Sequence, residues 1–304
     1  MTTLGDVVVV GGLNIDTLAR ITGRTVPGSS NPGATVTAHG GVGRNIAENL
    51  ARLGSPVRLV GVVGDDAGGH ALLHHLEMID VDVRGVRRSS TSPTGTYTAV
   101  LDSDGDLVIG VADMAATDSL GPDDIDAETI RGGSWLVLDG NLPAATVARC
   151  LVLADEQDIP VVLDPVGVTK ASRLGPLPGL HTFTPNHDEL TAWAGTDDVE
   201  AAREHAHAQG IDVVWLREGM QGSTLHTGDG ASTVLRLPPA PVVDVTGAGD
   251  AMLAAYVHRL RAGDPVAQAG WFATAAAWLT VGAATPVRRD LTESLVRGTL
   301  EDLR

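Results

Sequence analysis

Asp244-Val245-Thr246-Gly247-Ala248-Gly249-Asp250-Ala251-Met252 decides how this chain is read. Pro238, Pro239 and Pro241 lie before it and cannot continue a helix, whereas Ala251-Met252-Leu253-Ala254-Ala255-Tyr256-Val257 is a run of mostly good helix formers. A helix therefore starts within Gly247 to Asp250. Small residues there leave backbone N–H groups open, and the helix dipole favours an anion at that end. Asp250 puts a carboxylate into this anion corner. Two roles fit it: a cap or first-turn acid, or a general base that takes a proton from a hydroxyl attacking a phosphoryl group.

The chain before that stretch alternates strands and helices. Asp6-Val7-Val8-Val9-Val10-Gly11-Gly12 reads as a buried parallel strand closed by glycines, with Leu13-Asn14-Ile15-Asp16 just beyond its end. Gly11-Gly12 lacks the GxGxxG spacing of a dinucleotide loop. Residues 21–39 have no helical period and read as one or two strands outside the main sheet. Gly40-Gly41-Val42-Gly43-Arg44 opens a helix over 45–53, stopped by Gly54 and Pro56. Residues 57–64 form another buried strand, followed by a helix over about 69–78. Residues 94–101 and 106–111 flank the turn Asp102-Ser103-Asp104-Gly105 and form a hairpin. Strands at 135–140, 160–165, 182–186, 213–219 and 232–237 follow, with helices over 144–156, from about 188, over 250–262 and over 265–281. This rhythm predicts a doubly wound, mostly parallel α/β sheet flanked by helices. A small β-sheet lid is expected from segments of about 20–38 and 94–113, all within one catalytic domain spanning 1–304.

With 304 residues and 43% hydrophobic content, the chain can bury a full core. A net charge of −17 argues against nucleic acid or an anionic membrane as a partner. The lone Cys150 allows no intrachain disulfide and reads as a buried helical thiol. No apolar run reaches membrane length, and no signal peptide is evident, so a cytoplasmic location is expected.

Polar residues recur at predicted strand ends: Asn14 and Asp16, Asp139 and Asn141, Asp164, Asn186 and Glu189. Each alone also suits an ordinary turn or cap. Together they line one edge of an open α/β sheet, where ligands bind, beside the helix starting at Gly247. That convergence favours the base reading of Asp250. The GxxxxGK[ST] loop is absent and Lys170 is the only lysine, so phosphate must be met by backbone amides, arginines and a metal.

The stretch Asp244 to Asp250 resembles the second signature of the ribokinase-like (phosphofructokinase-B) family of sugar and nucleoside kinases. Gly40-Gly41-Val42-Gly43-Arg44-Asn45 resembles the first. Asn14-Ile15-Asp16, Thr184-Pro185-Asn186-His187-Asp188-Glu189 and Gly219-Met220-Gln221-Gly222 fall in the family's order, so the resemblance covers essentially the whole chain. Within the family, several features resemble the pseudouridine kinase subgroup. They are Ser30-Asn31-Pro32-Gly33, the run from Gly40 to Ala51, Val245, Met252, Asp113-Met114, and Asp164-Pro165-Val166 with Lys170.

The resemblance implies ATP-dependent phosphorylation of the 5′-hydroxyl of pseudouridine. Alternatives are another nucleoside or a free sugar as acceptor, or a non-catalytic nucleoside-binding protein on the same fold. Asp250 would be the base, and the N–H groups of Gly247, Ala248 and Gly249 the anion hole. Asn14, Asp16, Asn31, Gly41, Gly43, Asn45, Thr96 and Asp113 would meet the acceptor. Asn186, Arg217, Gly219, Gly222, Thr246 and Thr274 would lie at the nucleotide. Glu189 would reach Mg²⁺ indirectly, and Asp244 and Thr246 would shape a monovalent-cation loop suited to K⁺. The lids would pair two copies into a homodimer.

Overall fold

Val7, Val8, Val9 and Val10 are all fully buried, yet they serve two different cores. Successive side chains of a strand point to opposite faces. Val7 and Val9 join one apolar cluster, and Val8 and Val10 the other. Such a strand is covered by helices on both sides. The computed structural model, which describes residues 5–304, has this architecture. The four residues before Gly5, included in the expected domain, lie outside the described residues.

In chain order the elements begin β1 (Asp6–Val10), β2 (Asn14–Ile21), β3 (Gly33–Gly40), α1 (Val42–Arg52), β4 (Val57–Gly64), α2 (Ala67–Glu77) and β5 (Val81–Ser89). Next come β6 (Gly95–Leu101), β7 (Leu107–Asp113), α3 (Ala115–Asp118), α4 (Ala127–Ile130), β8 (Gly133–Asp139), α5 (Ala144–Asp155) and β9 (Val161–Asp164). Then follow α6 (Val168–Ala171), β10 (Thr182–Phe183), α7 (His187–Ala194), α8 (Val199–Ala208), β11 (Val213–Arg217), β12 (Ser223–Thr227) and β13 (Ser232–Leu235). Three helices close the chain: α9 (Ala248–Arg261), α10 (Val266–Val281) and α11 (Glu293–Leu303).

The large sheet has the order β13-β12-β11-β10-β9-β8-β1-β4-β5. Its strands run parallel except β12, which is antiparallel to both of its neighbours, β11 and the edge strand β13. One core lies between the sheet and the helices α1, α2, α9, α10 and α11, and holds Leu50, Leu72, Tyr256, Phe272 and Val296. The other faces α5, α7 and α8, with Val147, Leu151, Leu190 and Ala202. Cys150 sits in this second core as expected, and burial pushes its thiol up to about 12. Each fully buried Val or Leu contributes roughly 1.5–3 kcal/mol of burial free energy. No helix among the described residues is long and apolar enough to cross a membrane.

A second sheet has the order β3-β2-β6-β7. Its outer pairs are antiparallel and its central pair, β2 with β6, is parallel. The first of its strands starts at Asn14, earlier than the segment read from the sequence, because Asn14 pairs with Gly40 and with Gly95. Two strands of the large sheet escaped the sequence reading. Strand β5 is an edge strand whose exposed positions include Arg84, Arg87 and Arg88, and β12 is short and mostly polar.

Candidate active site

From β1 the chain winds one way, to β4 and β5. It then returns to β8 on the other side of β1 and winds the opposite way. The crevice beyond the ends of β1 and β8 is thus a topological switch point, where open α/β sheets bind ligands. Asp139, the last residue of β8, is 1% exposed and organises that crevice. Its Oδ2 accepts the N–H groups of Gly12 and Gly43, both at 2.8 Å, and its Oδ1 accepts Asn141 N–H at 2.8 Å. The glycines after β1 are thereby joined to the first turn of α1. A side chain at position 43 would place Cβ 2.7 Å from Gly11 Cα, and Gly41, the N-cap of α1, has φ 99° with its missing Cβ 2.3 Å from Gly12 O. Only glycine meets both demands.

Where β2 and β3 leave this crevice, Asn14 donates to Asp16 Oδ1 at 2.5 Å. The Asp16 carboxylate lies against Gly40, whose Cβ would come within 2.3 Å of it. Burial raises the Asp16 pKa, opposed by the Asn14 bond and the Arg44 charge. On the next element, Asn45 donates from Nδ2 to Asp250 Oδ2 at 2.7 Å, across 205 residues of chain.

Asp250 lies in the first turn of α9 but does not cap it. The N-cap is Gly247, with φ 78°. Asp250 is 9% exposed, and burial pushes its carboxyl up to about 7. The Asn45 bond and Arg44 pull it down, while Asp164 and Asp139 push it further up. A carboxylate so poised changes protonation near neutral pH, as a general base must. Gly247 is packed so closely that a Cβ would meet Pro286 O at 2.0 Å. The Ala248 N–H makes a 3.3 Å bond to Val245 O. Arg217, at the end of β11, brings Nη1 to 2.9 Å from where a Cβ on Gly249 would sit. The helix start and a guanidinium thus meet at one corner.

Arg217 also pairs with Asp164 (3.1 Å) and Glu189 (2.9 Å). Glu189 and Asn186 form a capping box on α7: Glu189 N–H donates to Asn186 Oδ1 at 2.9 Å, and Asn186 N–H to Glu189 Oε2 at 2.8 Å. Gly219 and Gly222 both have positive φ, 59° and 96°. Gly222 also leaves no room for a side chain, since a Cβ would meet Leu235 O at 2.4 Å, whereas the space beside Gly219 is open. Asp244 Oδ1 accepts Thr246 N–H at 2.8 Å and its hydroxyl at 2.7 Å, closing the turn ahead of α9. Thr274 sits mid-helix in α10 with its hydroxyl donating back to Gly270 O at 2.8 Å.

Three further residues expected at the acceptor lie on the small sheet and its connections. Thr96 and Asp113 are paired across β6 and β7, and both are exposed. The Asn31 side chain accepts Val26 N–H at 2.8 Å and donates to the Val26 and Ser29 carbonyls at 3.0 Å, closing its own loop.

Several groups at the crevice had no site role assigned from the sequence. Arg44 is 3% exposed and reaches the His39 and Gly40 carbonyls and Glu48. Lys170 donates to Asn141 Oδ1, and the buried Thr117 hydroxyl has no hydrogen-bond partner among the described residues. Val166 has φ 67°, a strained conformation for a β-branched residue, and its N–H donates to Asp164 Oδ1 at 2.7 Å. Lone Arg, Lys or Thr residues carry no spacing signal. The strand-end residues Asn14, Asp16, Asp139, Asn141 and Asp164, with the glycine loops, are what pointed toward this site.

Comparison with known proteins agrees with this geometry. The model of the pfkB family carbohydrate kinases matches residues 4–288. The Uncharacterized sugar kinase YeiI of Escherichia coli (strain K12) is 32% identical over 278 residues, covering 89% of this chain and 76% of its own. The pseudouridine kinase of the same organism is 30% identical over 275 residues, covering 88% and 87%. The structure of Arabidopsis thaliana ribokinase complexed with ribose and ATP superposes with a TM-score of 0.86 at 26% identity, covering 98% of this chain and 99% of that one. A family match over nearly the whole described chain, on a fold and crevice of this kind, makes this protein a pfkB family carbohydrate kinase, a phosphotransferase that acts on a hydroxyl group.

Proposed function

We propose that this kinase transfers the γ-phosphoryl group of ATP to the 5′-hydroxyl of pseudouridine, giving pseudouridine 5′-phosphate. The observation that carries the chemistry is the buried Asp250–Asn45 pair at a glycine-built helix start, with Asp16 and Arg217 on either side. The acceptor is seated by Asp16, Asn14, Asn45 and the backbone of Gly41 and Gly43. Its 5′-hydroxyl then lies at Asp250, which takes the proton as the oxygen attacks phosphorus. The N–H groups of Gly247 and Gly249, with Arg217, receive the charge of the transferred group. Gly219 and Gly222 let the nucleotide approach the backbone, and Thr246 and Thr274 border it.

Among the described residues no group of three or more His, Cys, Asp or Glu is placed to hold a metal ion. That fits a Mg²⁺ that arrives on ATP and is held mostly by phosphate oxygens and water. Arg217 already balances Asp164 and Glu189, so Glu189 would reach the ion through water. Bound there, Mg²⁺ offsets the phosphate charge. The Asp244 carboxylate and the Thr246 carbonyl fit a K⁺ loop, since Asp244 already orders that turn through Oδ1.

The small sheet acts as the lid and excludes water from the transfer. Strand β7 exposes Leu107, Val108, Ile109 and Val111 together, and β3 exposes Val36. Apolar surface of that kind supports lid-to-lid pairing in a homodimer. The choice of pseudouridine rests on the subgroup features of the sequence and on the pseudouridine kinase relative. The ribokinase match keeps ribose in the comparison. Initial rates with ATP on pseudouridine, uridine, adenosine and ribose test the assignment. Pseudouridine should be the preferred acceptor, and robust phosphorylation of ribose or adenosine without pseudouridine would sink it.

A further inference from the structure

Glu48, on the second turn of α1, is 3% exposed and holds two arginines at once. Its Oε2 accepts Arg44 Nη1 at 2.7 Å, and its Oε1 accepts Arg52 Nε at 3.0 Å and Nη2 at 2.7 Å. His75 of α2 adds a 3.1 Å contact to Oε2. Each arginine continues outward to backbone. Arg44 donates to the carbonyls of His39 and Gly40, the residues where β3 enters the crevice beside Asp16. Arg52 Nη1 donates to Arg289 O at 2.6 Å. Three residues earlier lies Pro286, whose carbonyl packs against Gly247 at the start of α9. One polar chain therefore runs from the root of the small sheet, through α1, to the loop that shapes the phosphate corner.

The size of the arrangement argues for a purpose beyond holding α1 together. An isolated i,i+4 pair on a helix surface adds only about 0.3–0.5 kcal/mol. A buried carboxylate shared by two guanidiniums costs desolvation and is no efficient way to stabilise a helix. It does fix two distant backbone segments to one rigid group. The Arg44 charge also reaches Asp16 and Asp250, lowering both pKa values against the effect of burial.

We propose that Arg44, Glu48 and Arg52 form a positioning relay, which couples seating of the acceptor at the root of the small sheet to the alignment of the 286–289 loop behind the phosphate corner. None of the three needs to touch substrate. Glu48 contacts neither end of the relay, so changing it separates coupling from direct binding.

Amide hydrogen exchange on the full-length protein, wild type and Glu48→Gln, tests this without substrate. The relay predicts faster exchange in both 33–40 and 286–290. If either segment keeps wild-type exchange, the relay is overturned. The second variant, Arg52→Met, alters a partly exposed side chain remote from the acceptor. It should raise the acceptor KM and lower kcat by about 3- to 30-fold, the usual range for coupling through a network, with Arg52→Lys restoring most of the loss. Wild-type KM and kcat in Arg52→Met would also overturn it. Because exchange needs no acceptor, an error in the substrate assignment would leave the first result standing.

Discussion

Replacing Asp250 by Asn should make this protein more stable and nearly inactive, with a pH dependence fixed by one carboxyl. Burial raises that carboxyl from an ordinary value of 3.8 to about 7. At pH 8 Asp250 is ionised in both the folded and the unfolded chain, so the fold bears the full cost of the buried charge. That cost is about 4 kcal/mol at 1.36 kcal/mol per pKa unit. As pH falls through 7, the folded state takes up a proton while the unfolded state stays ionised, and the cost shrinks. It is about 2 kcal/mol at pH 5 and vanishes below the unfolded value near 4. Asn is neutral throughout and keeps an oxygen to accept the Asn45 bond. Urea titrations of Asp250→Asn and wild type should therefore differ most at pH 8, in favour of the variant, and converge toward pH 4. Turnover at pH 8 should fall by ~10²–10⁴-fold, the usual share of a general base, with acceptor binding retained. Wild-type kcat should rise as pH passes through about 7. A variant that keeps its turnover refutes the base assignment, and one no more stable at pH 8 refutes the burial argument.

Other substitutions probe the frame around that carboxyl. Gly247→Ala forces a side chain into φ 78° and a 2.0 Å clash with Pro286 O, so it should cost at least 1–3 kcal/mol in urea titration, and it should cut kcat along with stability. Asp139→Asn turns one of two carboxylate oxygens, both of which accept backbone N–H groups, into a donor. A loss of about 1–3 kcal/mol and a raised acceptor KM should follow, measured by denaturation and initial rates. Arg217→Met leaves Asp164 and Glu189 buried without their cation. It should destabilise the protein by roughly 3–5 kcal/mol, and Arg217→Lys should recover part of both stability and kcat.

Much of this was legible before any coordinates. The unbroken Val7–Val10 run, the strand at 57–64 and the helix read over 45–53, which the structure starts at Val42, announce themselves through apolar content and bounding glycines. Helix α9 was placed to within two residues by prolines on one side and alanines on the other. Strand β5 was not, because an edge strand with one wet face mixes arginines into its valines. Helix α11 was passed over because only Val296 of it is fully buried. At the site, glycine loops and strand-end carboxylates could be read, since their chemistry demands those residue types. The Arg44–Glu48–Arg52 chain could not, because i,i+4 pairs on a helix usually face solvent, and only the fold shows that Arg44 and Glu48 are buried. Nor could the strain at Val166, which no local pattern marks.

The activity proposed for the crevice at Asp250 is phosphorylation of the 5′-hydroxyl of pseudouridine. A competition experiment tests it most directly: equal concentrations of pseudouridine, uridine, adenosine and ribose in one vessel with limiting ATP and Mg²⁺, and the products identified by mass spectrometry and phosphorus NMR. Product ratios then report relative kcat/KM. Pseudouridine 5′-phosphate should dominate, and it should disappear with Asp250→Asn. Ribose phosphate or adenosine monophosphate as the main product, or phosphate on a hydroxyl other than 5′, would contradict it.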